Sequence, residues 1–251
     1  MIDCDLIQRY NMGSNSKLRL VTEEEEGGEK IIVKKEFIKG RNPDEYNFYI
    51  KFGQRIKKDG MNKFISIPKR ILNCRNSKIY IFPKYSHNYS TNYIKNIEQK
   101  LFIDYTIQLC LQVYYINHKL KMFHNDLIKY GNLWNVMIDE NSKPLILKSG
   151  RFKYQIMGNI IRIIDFGRPR KFPAFVLSDM YKFHGKDLPF ISEVFLVFFL
   201  SFKNHNNPNL SFREFYKNFI GNAKSLKEFD INIINSAIQY KSNFPSLVKY
   251  L

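Results

Sequence analysis

The sequence predicts an α+β protein arranged in two lobes. Three observations carry that expectation. The N-terminal third reads as strands around one helix, whereas residues from Ile94 onward follow helical spacing. The change falls near Pro83–Ser90, which divides the chain into units 1–85 and 86–251. The 251 residues are 44% hydrophobic and 16% aromatic, enough for a sizeable core and too much for global disorder.

Each element has a local reason. Lys17–Thr22 (KLRLVT) alternates polar and apolar residues, as a half-buried strand does. The acidic, Gly-rich stretch EEEEGGEK that follows reads as a hairpin turn, and Ile31–Val33 supplies a β-branched run after it. Asn42-Pro43-Asp44-Glu45 starts a helix: an Asn N-cap, Pro at the first helical position and acids in the first turn. Glu45 stands three residues after Asn42, as in a capping box. Lys78–Pro83 (KIYIFP) is a further strand.

Leu101–Lys119 is a long amphipathic helix, with Ile103, Ile107, Leu111, Tyr114 and Tyr115 at helical spacing. Two short apolar strands, Val136–Ile138 and Ile160–Ile164, come next. From Leu177 to Leu251 the chain is apolar, aromatic and helical, broken by Asn/Pro-rich turns. Its longest apolar run, Val194–Leu200 continuing to Phe202, is shorter than the roughly 20 residues of a membrane span and reads as a buried helix.

Charge and cysteine content bound the function. Forty Lys+Arg against 23 Asp+Glu leave a net charge of +17, which favours polyanionic partners. No basic run of five occurs, so a nucleic-acid-binding module rests on overall charge alone. Cys4, Cys74 and Cys110 are odd in number, widely spaced and form no C-x-x-C pair, so the expectation is three reduced thiols. The N-terminus shows no apolar signal core.

Three segments carry chemistry: Phe123-His124-Asn125-Asp126-Leu127, the pair Asn132 and Asn135, and Ile163-Ile164-Asp165-Phe166-Gly167. Phosphoryl transfer needs a carboxylate to orient the attacking hydroxyl, oxygen ligands for Mg²⁺ and a lysine at the phosphates. Pairing VMI after Asn135 with IRII before Asp165 would bring Asn132 or Asn135 and Asp165 to one end, beside Asp126.

These segments resemble the catalytic loop and metal motif of the eukaryotic protein-kinase superfamily. H-R-D-L is represented by His124-Asn125-Asp126-Leu127, and D-F-G is intact at Asp165-Phe166-Gly167. Ile31-Ile32-Val33-Lys34 resembles V-A-I-K, and Ile81-Phe82-Pro83-Lys84-Tyr85 resembles the hinge. The H-N-D-L loop, the insert FKYQIMGN and the IIDFGR block are most similar to divergent kinases of large DNA viruses, with some likeness to haspin.

The resemblance implies a bilobal kinase-like fold, with a small β-rich N-lobe and a larger helical C-lobe. It implies ATP and Mg²⁺ as cofactors and a protein substrate carrying serine or threonine, acidic or nucleic-acid-associated in character. The implied roles are Asp126 as base, Lys34 at the phosphates with Lys35 as neighbour and competitor, and Glu45 as partner of the lysine. Gly13, Pro83 and Tyr85 would contact the nucleotide, and Asp165 with Asn135, or alternatively Asn132, would hold the metal. The expected location is cytoplasmic, or the virion if the chain is viral, and not secreted.

The sequence also departs from the pattern. The Gly-rich loop is reduced to Gly13-Ser14-Asn15-Ser16, and Asn125 replaces the loop arginine. Asp179 is the expected helix-start acid that braces the catalytic loop, which makes the activation segment short. A small-molecule kinase with an H-N-D loop and a catalytically impaired scaffold are the alternatives.

Overall fold

The computed structural model describes residues 17–25, 29–38, 44–83, 85–89, 91–129, 132–141, 143–171, 192–205, 211–212, 215–217 and 223–242. Gly13, the Asn42-Pro43 helix start, Lys84 and Asp179 lie outside the described residues.

Strands β1 (Lys17–Glu25), β2 (Glu29–Phe37), β3 (Arg70–Cys74) and β4 (Ser77–Pro83) form an antiparallel sheet in the order β1-β2-β4-β3. Central β4 is buried from Ser77 to Phe82. Helix α1 (Asp44–Lys58) buries Glu45, Phe48, Tyr49, Phe52 and Ile56, one stripe at helical spacing. Tyr49 meets the β4 rings of Tyr80 and Phe82 at centroid distances of 5.9 and 6.0 Å. Each apolar member of the stripe contributes roughly 2 kcal/mol by burial, whereas a carboxylate in the same stripe is costly unless paired.

Helix α2 (Thr91–Asn96) leads to α3 (Gln99–Tyr114), buried on nearly all sides from Phe102 onward. The expected helix to Lys119 ends differently: Tyr115–Lys119 form a π-helical turn. Helix α3 packs on α4 (Glu193–His205) and α5 (Leu226–Ser242). The ring of Phe195 on α4 lies within 6 Å of Phe212, Phe215, Tyr216 and Phe229. This is the buried helix foreseen in the Phe-rich run.

Between α3 and α4 come β6 (Met122–Phe123), β7 (Ile128–Lys129), β8 (Asn132–Leu133), β9 (Val136–Asp139), β10 (Leu145–Ser149), β11 (Phe152–Ile156), β12 (Ile160–Ile163) and β13 (Arg170–Lys171). Strands β12 and β9 pair antiparallel, Ile163 opposite Val136, as the sequence predicts. On the far edge of β9 lies β5 (His87–Asn88). Strands β10 and β11 form a hairpin whose turn uses Gly150 at φ +59°; a Cβ there would stand 3.0 Å from Tyr114 Cε1.

The edge of β12 away from β9 faces helix α3, which offers side-chain amides in place of a strand. Gln108 accepts from the Ile161 N–H at 2.9 Å, and Gln112 donates to the Ile161 carbonyl at 2.8 Å. Their four-residue spacing puts both on one helix face. A second link joins β12 to the segment after α1: Ser66 N–H donates to the Ile163 carbonyl at 2.8 Å, and Ile163 N–H to the Phe64 carbonyl at 3.1 Å.

Cys110 is a buried free thiol, as expected, and Cys4 lies outside the described residues. No helix among the described residues is long and apolar enough to cross a membrane.

Candidate active site

A cavity of about 300 Å³ opens between the sheet and the β9–β12 pair. Phe82, Tyr85, Val136, Met137 and Ile164 give it apolar walls; Lys34, Glu45, Asn135 and Asp165 give it a charged and polar end, with Trp134 and Ser66 completing the lining.

Lys34 comes from β2, in register with Tyr80 of β4. Its side chain is buried, and its ammonium forms a short ion pair with Glu45 and donates to Asp165 Oδ1 at 2.8 Å. Burial pulls the lysine down, but the negative charges of Glu45 and Asp165 outweigh it and hold the ammonium above its ordinary range. Burial pushes the Glu45 carboxyl up to about 7 against the opposing charge of Lys34. Tyr49, one turn along α1, donates its hydroxyl to Glu45 Oε1 at 2.9 Å.

Asn135 and Asp165 stand at adjacent ends of β9 and β12, linked by Ile164 N–H donating to the Asn135 carbonyl at 3.0 Å. Asn135 Nδ2 donates to the Asp126 carbonyl at 3.0 Å and reaches its Oδ2 at 3.3 Å. Asp126 therefore adjoins the cavity through Asn135. Asn132 lies on β8, paired in register with Lys129, and does not line the cavity. The short β7–β8 hairpin accommodates the extra residues between Asp126 and Asn135.

Three of these positions are backbone-constrained: Asn125, Asn135 and Asp165 have φ of +62°, +55° and +62°. Asn and Asp are the side chains that tolerate this left-handed region best, and such outliers cluster at functional sites.

Phe166 is fully buried; it stacks on Phe48 of α1 at 4.0 Å and lies 4.6 Å from the His124 ring. This holds Asp165 beside the helix that carries Glu45. His124 donates from Nε2 to the Ile164 carbonyl at 2.9 Å, and burial pushes its pKa down to about 4, so the ring is neutral and holds the loop by packing and one hydrogen bond.

Glu193 was not foreseen. This buried acid at the start of α4 braces the loop that carries His124 and Asn125, whereas Asp179 lies outside the described residues. The Glu193 carboxylate accepts from the backbone N–H groups of His124 (3.1 Å) and Asn125 (2.8 Å) and from Asn117 Nδ2 (3.0 Å). Burial raises its pKa while these hydrogen bonds oppose the rise. A sequence cue exists: Ser192-Glu193 is polar immediately before an apolar run, and Ser192 Oγ accepts from Phe195 N–H at 2.9 Å, a helix N-cap.

Pro83 ends β4 and does not line the cavity. Tyr85 does line it, and its hydroxyl is tied to Ser66 by a short hydrogen bond, so its ring forms a wall.

No three His, Cys, Asp or Glu residues converge as a metal cluster among the described residues. Mg²⁺ needs less than that, since it is commonly held by one or two carboxylates together with substrate phosphates and water. Asp165, half-buried and lining the cavity, and Asn135, whose amide nitrogen is engaged with Asp126, offer an oxygen set of that kind.

No family model matches the chain, and no curated protein matches it. Among solved structures, the crystal structure of the BubR1 kinase domain is similar: TM-score 0.55 and 12% identity, covering 94% of this chain and 80% of that one. The mixed helix and strand architecture is thus a protein-kinase-like fold.

Proposed function

We propose that the chain transfers the γ-phosphoryl group of ATP, with Mg²⁺, to serine or threonine hydroxyls of a protein. Residues 1–85 and 86–251 are then two lobes of one catalytic domain. The observation that supports this best is the convergence of Lys34, Glu45 and Asp165 at one end of a cavity, with the Asp126–Asn135 pair beside them.

In this reading Lys34 binds phosphate oxygens and Glu45 keeps its ammonium in place. Asp165 and Asn135 hold Mg²⁺, which neutralises charge developing on the phosphates. Asp126 accepts a hydrogen bond from the acceptor hydroxyl and takes its proton. The apolar walls at Phe82, Val136 and Met137 would cover the adenine ring. Nearness to viral and haspin-like kinases rests on the H-N-D-L and IIDFGR blocks.

The test uses purified protein, Mg²⁺, labelled ATP and a mixed protein substrate. Phosphate incorporation is expected, falling about a thousandfold in Asp126→Ala. Activity persisting in that variant refutes the assignment of the base. Absence of any thermal shift with Mg²⁺ and ATP would make the chain a scaffold.

A further inference from the structure

We propose that Trp134 selects the acceptor: its indole receives an apolar or aromatic side chain flanking the phosphorylated hydroxyl. The inference rests on the phosphoryl-transfer reading above and deepens it.

Trp134 is the chain's single tryptophan. The large hydrophobic residues exposed among the described ones are Ile50, Leu101, Trp134, Ile146 and Met157, and of these only Trp134 lines the cavity. It is 51% exposed, whereas no Phe or Tyr ring is exposed among the described residues. Leaving an indole half in water forgoes roughly 1–2 kcal/mol of burial, which a partner covering it would recover.

The exposure is built into the backbone. Trp134 N–H donates to the Leu127 carbonyl at 2.7 Å, closing the β7–β8 hairpin. Leu127 and Leu133 are buried, and the left-handed Asn135 turns the chain immediately afterwards. With its neighbours anchored, the indole is held at the cavity rather than inside the core.

Its position assigns it to the acceptor rather than the nucleotide. The hydrogen bond to Leu127 and the Asn135–Asp126 bonds place Trp134 on the wall that carries Asp126. Lys34 and Phe82, on the opposite wall, come from the sheet. Aromatic faces accept either cations or apolar and aromatic groups. A net charge of +17 disfavours a cationic peptide, so the apolar class is the one assigned.

Two synthetic serine peptides test this, one with Phe on both sides of the serine and one with Gly. The ratio of kcat/KM for the Phe peptide to that for the Gly peptide is expected to fall about tenfold in Trp134→Ala and to be retained in Trp134→Phe. An unchanged ratio in Trp134→Ala overturns the proposal. Binding is read separately from chemistry by titrating the alanine-for-serine version of each peptide against tryptophan emission, which reports this one residue. The Phe peptide is expected to change emission at a lower concentration than the Gly peptide. Equal responses, or a response to Mg²⁺ and ATP but to neither peptide, overturn it. If the wild-type protein phosphorylates nothing, the phosphoryl-transfer reading fails on its own, and the emission titration still decides whether Trp134 receives an apolar side chain.

Discussion

Glu45 on α1 and Glu193 on α4 are both buried carboxylates, yet they do opposite kinds of work. Glu45 is matched to a side-chain charge, Lys34, and to the Tyr49 hydroxyl. Glu193 is matched mainly to backbone, accepting from the N–H groups of His124 and Asn125, with Asn117 as its side-chain donor. The first holds a lysine ammonium in place and the second holds a loop in shape. A carboxylate on main-chain donors fixes backbone, whereas one on a lysine fixes a side chain.

The difference can be broken by substitution, beginning with the largest effect. Glu193→Ala strands three donors in a buried site and is expected to cost about 4 kcal/mol of stability in chemical denaturation. A loss below 1 kcal/mol would mean that the loop holds itself.

The next effect is pH-dependent and belongs to the braced loop. The folded pKa of His124 is about 4, below its ordinary 6.5, so the fold favours the neutral ring. Its contribution is fully present above pH 6.5 and is lost as pH falls toward 4, in total about 3 kcal/mol. Denaturation midpoints measured from pH 7 to 4 should fall, and His124→Phe should flatten that part of the slope. A slope identical in the variant removes His124 from the account.

Glu45→Gln sharpens the contrast from the other side. Asp165 still pairs with the Lys34 ammonium and the amide fits the stripe on α1, so stability should fall by less than in Glu193→Ala. Phosphoryl transfer should fall about a hundredfold, because Lys34 loses its charged partner on the helix. Equal losses of stability in Glu45→Gln and Glu193→Ala would erase the distinction between the two acids.

Much of the architecture was readable because it rests on local pattern. The strand at Lys17, the helix with acids in its first turn at Asp44 and the apolar strands before and after the loops each appear where local pattern puts them. The pairing of β9 with β12 was legible too, since two short apolar runs flanking a connection have little else to pair with. What the sequence hid depends on distance in space. The strands β3, β7, β8 and β10 carry no distinctive period, and the π-turn at Tyr115 looks like ordinary helix. Glu193 carries only a weak local cue, because its role depends on α4 delivering it to the backbone of residues far upstream. The gap between Asp126 and Asn135 looked like an insertion, and the fold absorbs it as a hairpin that ends at Trp134.

The left-handed backbone at Asn125, Asn135 and Asp165 sets which neighbouring sequences are open to this chain. Glycine is the substitution those three positions accept most cheaply in conformation, and valine or isoleucine the least. A lineage drifting toward glycine there would preserve every turn of the loops and forfeit the amide and carboxylate oxygens they present. Erosion of the chemistry and retention of the shape would then advance together, one codon at a time.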